Sequence, residues 1–228
     1  MRTLLVPPPL VAGFLRIEGD EAHHGRTVLR LVAGDQVRLA DGDGRSALAT
    51  LRSVERHHLE AEAEAPTPVA DPPAAFLTVA VAPPKGDRFT DVVRGLTELG
   101  VGAIRPLICQ RGERLPSSFD RVARVAAEAV KQCRRGRLPV FQPALDVAAL
   151  AALGESLVTL DPAGLPAQPG KPRPVTLVIG PEGGLTAAET DLLTAAGAAR
   201  ARIATPILRI ETAALAATAV WASAWEHP

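Results

Sequence analysis

Two stretches of this 228-residue chain combine glycines, carboxylates and a helix start in the order that ligand-binding turns use. The first runs Val178-Ile179-Gly180-Pro181-Glu182-Gly183-Gly184-Leu185-Thr186-Ala187-Ala188-Glu189: a strand end, a glycine turn, then a Thr-x-x-Glu capping box opening a helix. A turn at the carboxyl end of a parallel strand faces the crevice outside the sheet, and glycines let its backbone approach a ligand closely. The Lys-Ser/Thr of a P-loop and the G-x-G-x-x-G of a dinucleotide site are both missing. Glu182 would repel a phosphate, so hydroxyls, an adenine edge or a positive centre suit the turn better. Taken alone, it also reads as an ordinary glycine β-α turn. The second stretch, Ile203-Ala204-Thr205-Pro206-Ile207-Leu208-Arg209-Ile210-Glu211-Thr212-Ala213-Ala214, is another strand-end loop running into a helix.

The elements that must position these bends alternate. Residues 76–81 are an apolar β run, 88–99 have helical spacing and end at Gly100, 104–108 are again a strand, and 119–133 carry an apolar helical stripe. Residues 157–160 and 175–179 are continuous apolar runs of the kind buried on both faces of a parallel sheet. The Pro- and Gly-rich residues 161–174 read as a loop, 186–196 as a helix, 201–204 as a strand and 211–225 as a last helix. This alternation predicts an α/β sheet covered on both faces. Residues 1–63 instead read as short strands and turns, a small β-barrel, with one helix over 20–31 capped by Asp20. Four prolines in residues 65–73 deny that segment helix and ladder hydrogen bonds, and the domain boundary is placed there.

The composition is globular, 47 % hydrophobic with a net charge of zero. No apolar run approaches the roughly 18 residues of a membrane helix, and prolines interrupt the amino-terminal residues before a signal sequence could form; a soluble, cytoplasmic protein without a membrane partner is expected. Neutrality hides an asymmetry: residues 85–139 carry twelve basic side chains, Arg114 among them, against six acidic ones. Such an excess suits a polyanion, because each neutralised phosphate releases counterions, although a solvated helix face has the same composition. Cys109 and Cys133 form no CxxC pair, and the adjacent His23-His24 and His57-His58 pairs lack convergent carboxylates, so no metal is expected. No G-x-S-x-G elbow supports a serine hydrolase.

With both bends in view, the chain resembles the ribosomal RNA small subunit methyltransferase E family of the SPOUT superfamily. The turn 180–184 is similar to its GPEGG, and residues 203–213 to its L-G-x-R-I-L-R-x-E-T-A. His24 to Leu31 resembles its H-x-x-x-V-L-R, Pro84 to Arg88 its K-G-D/E-K/R turn, Thr97 to Val101 its E-L-G-V, Arg111 the arginine of its S-E-R, and Gln132 to Pro139 its E-Q-x-x-R-x-x-x-P. The chain departs from the pattern at Ala204 (Gly), Pro206 (Arg), Ile210 (often Thr), Gly95 (often Lys) and Lys131 (Glu). A Cβ at 204 narrows the loop, and Pro206 removes an amide donor and a charge.

The resemblance implies a PUA-like, RNA-binding β-barrel over 1–70 and a SPOUT-type parallel-sheet α/β methyltransferase domain with a trefoil knot over 74–228. It implies S-adenosylmethionine as donor, N3 of a uridine in 16S ribosomal RNA as acceptor, ribosomal RNA or the small ribosomal subunit as partner, and a homodimer with its active sites at the interface. The cofactor residues carried over are Leu160, Gly180, Pro181, Glu182, Gly183, Gly184, Ile203, Ile207 and Leu208. Those assigned to RNA are His24, Arg26, Arg30, Lys85, Arg88, Arg134, Arg135 and Arg137. Uridine N3 is a weakly acidic imide, so its methylation needs negative charge stabilised at the pyrimidine oxygens; Arg111 and Arg209 are candidates for that role, with Glu211 or Glu182 accepting the proton or orienting an arginine. The alternatives are a SPOUT methyltransferase acting at another RNA position and a non-catalytic RNA-binding protein.

Overall fold

A computed structural model of the chain describes residues 1–113, 115 and 118–226; Arg114 of the basic segment lies outside the described residues. The chain divides into two compact units, Met1–Asp71 with Ala127–Leu138, and Pro72–Ala126 with Pro139 onward.

The first unit is a mixed, PUA-like sheet of β1 (Arg2–Leu5), β2 (Gly13–Glu18), β3 (Gln36–Ala40), β4 (Arg45–Val54), β5 (His58–Ala63) and β6 (Thr67–Pro68). Its order is β1-β3-β4-β5-β2 with β6 on β4, and only the β1–β3 pairing in it is parallel. Alternation along the strands sends Leu4, Leu39, Leu51 and Leu59 into one core. Asp41 organises the turn between β3 and β4: its Oδ1 accepts the amides of Asp43 at 2.9 Å and Arg45 at 3.0 Å, as the Asp-Gly signal at 41–42 suggests. Helix α1 spans Gly19–Thr27, shorter than the expected 20–31, and Asp20 lies in its first turn rather than at its cap. The helix stops because Arg30 takes a left-handed conformation, φ 52°, which turns Leu31 back into the core with its amide on the Gly25 carbonyl.

The second unit is built on a parallel sheet. Its strands are β7 (Leu77–Val81), β8 (Ala103–Ile108), β9 (Val140–Phe141), β10 (Leu145–Asp146), β11 (Leu157–Pro166), β12 (Val175–Ile179) and β13 (Ala199–Arg202), in the order β10-β8-β7-β12-β11-β13 with β9 also on β8. The helices are α2 (Arg88–Glu98), α3 (Phe119–Cys133), α4 (Val147–Ala151), α5 (Ala187–Ala195) and α6 (Ile210–Glu226), of which α3 runs from the second unit into the first. Continuous apolar strands are explained by two cores. Val175, Leu177 and Ile179 of β12 join Val92 and Leu96 of α2 and Trp221 and Trp225 of α6. Val178 points the other way, to Leu150 of α4 and Leu193 of α5. Gly95 sits in α2 where a Cβ would come within 2.5 Å of the tip of the Leu215 side chain in α6, so any larger residue there requires Leu215 to shift.

The expected loop 161–174 is corrected in part: β11 continues to Pro166. Its pairing with β13 slips between Leu160 and Leu165, so Asp161 to Gly164 bulge outward before the strand resumes. The remaining loop returns to the end of the chain, with Ala167 N on the Arg202 carbonyl at 3.0 Å and Trp225 Nε1 on the Gly170 carbonyl at 3.0 Å. No helix among the described residues is long and apolar enough to cross a membrane.

Candidate active site at the carboxyl ends of the parallel strands

Strand β12 ends at Ile179, and the chain turns through residues 180–184 with Gly184 N bonded to the Pro181 carbonyl at 2.8 Å. Thr186 then caps α5 in the capping box read from the sequence: Thr186 Oγ1 accepts from Glu189 N, and Glu189 Oε2 accepts from Thr186 N at 2.8 Å. Strand β13 ends at Arg202, and residues 203–209 lead into α6. These two bends, distant in sequence, wall one cleft of about 290 Å3, completed by Thr159, Leu160, Asp161 and Pro162 of β11.

Of the expected ligand residues, Leu160, Gly180, Pro181, Glu182, Gly184, Ile203, Ile207 and Leu208 line this cleft, and the departures Ala204 and Pro206 line it too. Gly183 is not a lining residue; its carbonyl instead accepts from Arg111 Nη1 at 3.0 Å. Sequence reasoning missed Thr159, Asp161 and Arg202, which also line the cleft. Thr159 is 5 % exposed, and its Oγ1 is buried without a hydrogen-bond partner. Asp161 is fixed in the bulge by Arg200 Nη2 at 2.6 Å and Ala163 N at 2.8 Å. The Asp-Pro at 161–162 reads as a chain break, although the same dipeptide suits a bulge whose next residues rejoin the ladder.

Arg88 ties the two bends together. Its Nη2 donates to Glu182 Oε1 at 2.9 Å and its Nη1 to Glu211 Oε1 at 3.2 Å, while its Nε holds the Lys85 carbonyl at 3.1 Å. The hydrogen bonds to Glu182 and then Glu211 raise the guanidinium pKa above its ordinary value. Arg88, assigned to RNA by the resemblance, thus commits three of its five N–H donors to these partners. Glu211 keeps one oxygen, Oε2, buried and unpartnered. Arg209 is exposed and outside the cleft lining, one residue before α6.

The basic segment is mostly occupied by ion pairs. In the second unit Lys85 meets Glu113 at 3.4 Å, Arg94 meets Asp91, Arg121 meets Asp87, and the buried Arg105 makes a two-pronged pair with Glu155 at 3.1 and 3.2 Å. In the first unit Lys131 is buried against Glu21 at 3.1 Å, and Arg137 bridges Asp43 at 2.6 Å and Asp71 at 3.1 Å. Arg135 is 8 % exposed, and burial pulls its pKa below the ordinary value. Arg135 is thus buried within the first unit, whereas Arg137, its side chain 43 % exposed, holds its ion pairs at the surface. Arg26, Arg30 and Arg134 are exposed and His24 is half-buried. Burial pushes the Cys109 thiol up to about 12, which keeps it protonated and inert as a nucleophile. No group of metal-ligating side chains occurs among the described residues.

The comparisons agree with this geometry. An RNA methyltransferase domain model matches residues 71–222 and an RNA methyltransferase PUA domain model residues 17–64. The ribosomal RNA small subunit methyltransferase E of Mycobacterium bovis is 32 % identical over 92 % of this chain and 87 % of its own, and that of Synechocystis 32 % over 96 % and 76 %. The crystal structure of the Neisseria gonorrhoeae ribosomal RNA small subunit methyltransferase E, bound to S-adenosyl methionine, superposes with a TM-score of 0.91 at 26 % identity, covering 99 % of this chain and 98 % of that one. A Legionella pneumophila methyltransferase with bound cofactor gives 0.90 at 26 % identity, covering 98 % and 97 %. A two-bend cleft on a parallel sheet, with both domain models and these relatives spanning nearly the whole chain, shows that the chain belongs to the ribosomal RNA small subunit methyltransferase E family of RNA methyltransferases.

Proposed function

We propose that the protein transfers a methyl group from S-adenosylmethionine to N3 of a uridine in 16S ribosomal RNA, in the cytoplasm and as a homodimer. The observation that carries this reading is the single cleft made by the turn 180–184, residues 203–208 and the end of β11. The orphaned Thr159 hydroxyl gives a fit test: a buried polar atom without a partner costs stability unless a ligand meets it, and a nucleoside supplies hydroxyls and ring nitrogens to do so. Glycine backbone and the apolar Leu160, Ile203 and Leu208 suit an adenosine.

When bound, S-adenosylmethionine supplies an electrophilic methyl on a sulfonium. The protein's own part is to favour the uridine anion and to hold N3 in line with that methyl. Arg111, fixed on the Gly183 carbonyl, is assigned to the pyrimidine oxygens, where charge builds up as N3 loses its proton. Glu211 is assigned as proton acceptor through Oε2, the oxygen that Arg88 leaves free. Arg209 is assigned to the RNA strand beside the base. The Glu211 carboxylate would take the N3 proton as Arg111 steadies the charge left on the pyrimidine oxygens, which leaves N3 free to accept the methyl that the bound donor would supply. The target base has to leave its stack to reach the cleft.

Mass mapping of small-subunit ribosomal RNA from a deletion strain tests the position. Loss of one N3-methyluridine, restored by the wild-type gene, is expected; its full retention overturns the assignment. Calorimetric titration with S-adenosylmethionine separates the enzyme from a non-catalytic RNA-binding protein, which would give no heat at millimolar ligand.

A further inference from the structure

Glu189 does more than a capping box asks of it. It is 4 % exposed, and one oxygen, Oε2, completes the cap on Thr186 N at 2.8 Å and Thr186 Oγ1 at 3.0 Å. The other oxygen leaves the helix altogether: Oε1 accepts the backbone amide of Gln110 at 2.8 Å, 79 residues away in sequence. Gln110 precedes Arg111 in a tight turn closed by Gly112 N on the Cys109 carbonyl at 3.0 Å, with Cys109 buried beneath it. Arg111 is thereby held at both ends, its backbone through Glu189 and its guanidinium on the Gly183 carbonyl. The glycine turn and the arginine above it share one buried carboxylate.

We propose that Glu189 is a positioning residue: it sets the height of Arg111 over the 180–184 turn, so that α5, the turn and the arginine move as one body. This deepens the function proposed above and rests on it. The titratable groups that face the carboxylate are the neutral Cys109 and Arg111 itself. A cap alone would need only Oε2, and the two roles separate by substitution. Thr186→Val removes the cap hydroxyl and leaves the Gln110 link. Glu189→Gln keeps the shape, but its amide nitrogen must face the N–H of either Thr186 or Gln110, which breaks one anchor.

The test is single-turnover methyl transfer to undermethylated small-subunit RNA, read beside S-adenosylmethionine affinity and amide hydrogen exchange at Gln110 to Gly112. Glu189→Gln and Glu189→Ala are expected to slow transfer about 10- to 100-fold, the loss typical of a catalytic group displaced by about 1 Å. Cofactor affinity should stay within about twofold, and exchange at Gln110 and Arg111 should rise. Thr186→Val is expected to lower Tm while rate and exchange at Gln110 stay near wild type. A wild-type rate in Glu189→Gln, or equal rate losses in the Thr186 and Glu189 variants, overturns the proposal. Wild-type protein that transfers no methyl to any ribosomal RNA overturns the parent function instead, and the exchange data still report whether Glu189 pins the Arg111 turn.

Discussion

Arg88 shows what a motif alone leaves out, namely the partners a side chain meets in the fold. In sequence it belongs to a Lys-Gly-Asp-Arg turn within a basic stretch, which suggests a phosphate partner; in the fold it joins Glu182 to Glu211 and so joins the two bends. Arg88→Gln should therefore weaken S-adenosylmethionine binding and transfer together, as isothermal titration and a methylation assay would show, rather than flatten the salt dependence of RNA binding. Thr159→Val, nearly isosteric, removes an orphaned hydroxyl. It should leave the unliganded Tm unchanged or raised, while cofactor affinity falls several-fold, the equivalent of about 1 kcal/mol for one net hydrogen bond. Glu155 supplies a pH signature. Burial raises its pKa, but hydrogen bonds from Arg105 and Thr176 outweigh this and hold it below the ordinary carboxylate range. Its contribution is thus complete above the unfolded-state pKa and lost as pH falls through the lower folded value. Glu155→Gln should cost about 3–5 kcal/mol near neutrality by leaving Arg105 buried without its counter-charge. The gap to wild type in chemical denaturation should close progressively below about pH 5.

At the scale of elements, legibility followed the physics of each segment. Strand β12 and helix α2 were readable because a doubly covered strand is uniformly apolar and a one-faced helix is periodic. The capping box at Thr186 was readable because both partners lie within four residues. Strand β11 was not, since its Asp-Pro-Ala-Gly carries turn residues that the fold uses for a bulge pinned by β13. A Cβ at Gly164 would come within 2.9 Å of the Arg200 and Ala201 backbone. Gly164→Val should therefore force β13 away, lowering Tm and opening the cleft, which cofactor titration would detect as lost affinity. Helix α1 was overextended because nothing local marks Arg30 for a left-handed turn; burial of Leu31 decides it.

For the whole molecule, charge summed over a segment proved a poor guide to its surface. The excess in residues 85–139 is met within each unit by carboxylates from outside the segment: Glu182, Glu211 and Glu155 in one, Glu21, Asp43 and Asp71 in the other. Exposed Arg26 and Arg30 remain better placed to meet phosphate. Arg26→Ala with Arg30→Ala should reduce the slope of RNA affinity against salt by roughly one to two counterions, whereas Arg137→Ala should lower Tm and leave that slope alone. The candidate site was legible as two bends from their residue types, and the resemblance added Leu160 of the third wall; Thr159, Asp161 and the Arg88 clamp were not legible, because they come from residues paired only in space.

Every wall of the cleft lies from Thr159 onward, and its final side is the start of α6. A nascent chain emerging from the ribosome can pair β7 with β8 early, but must wait for β12, nearly a hundred residues after β7, before β7 gains its second neighbour in the sheet. A polypeptide whose synthesis stalls before Ile210 therefore lacks one side of the donor pocket, whatever else of it has folded.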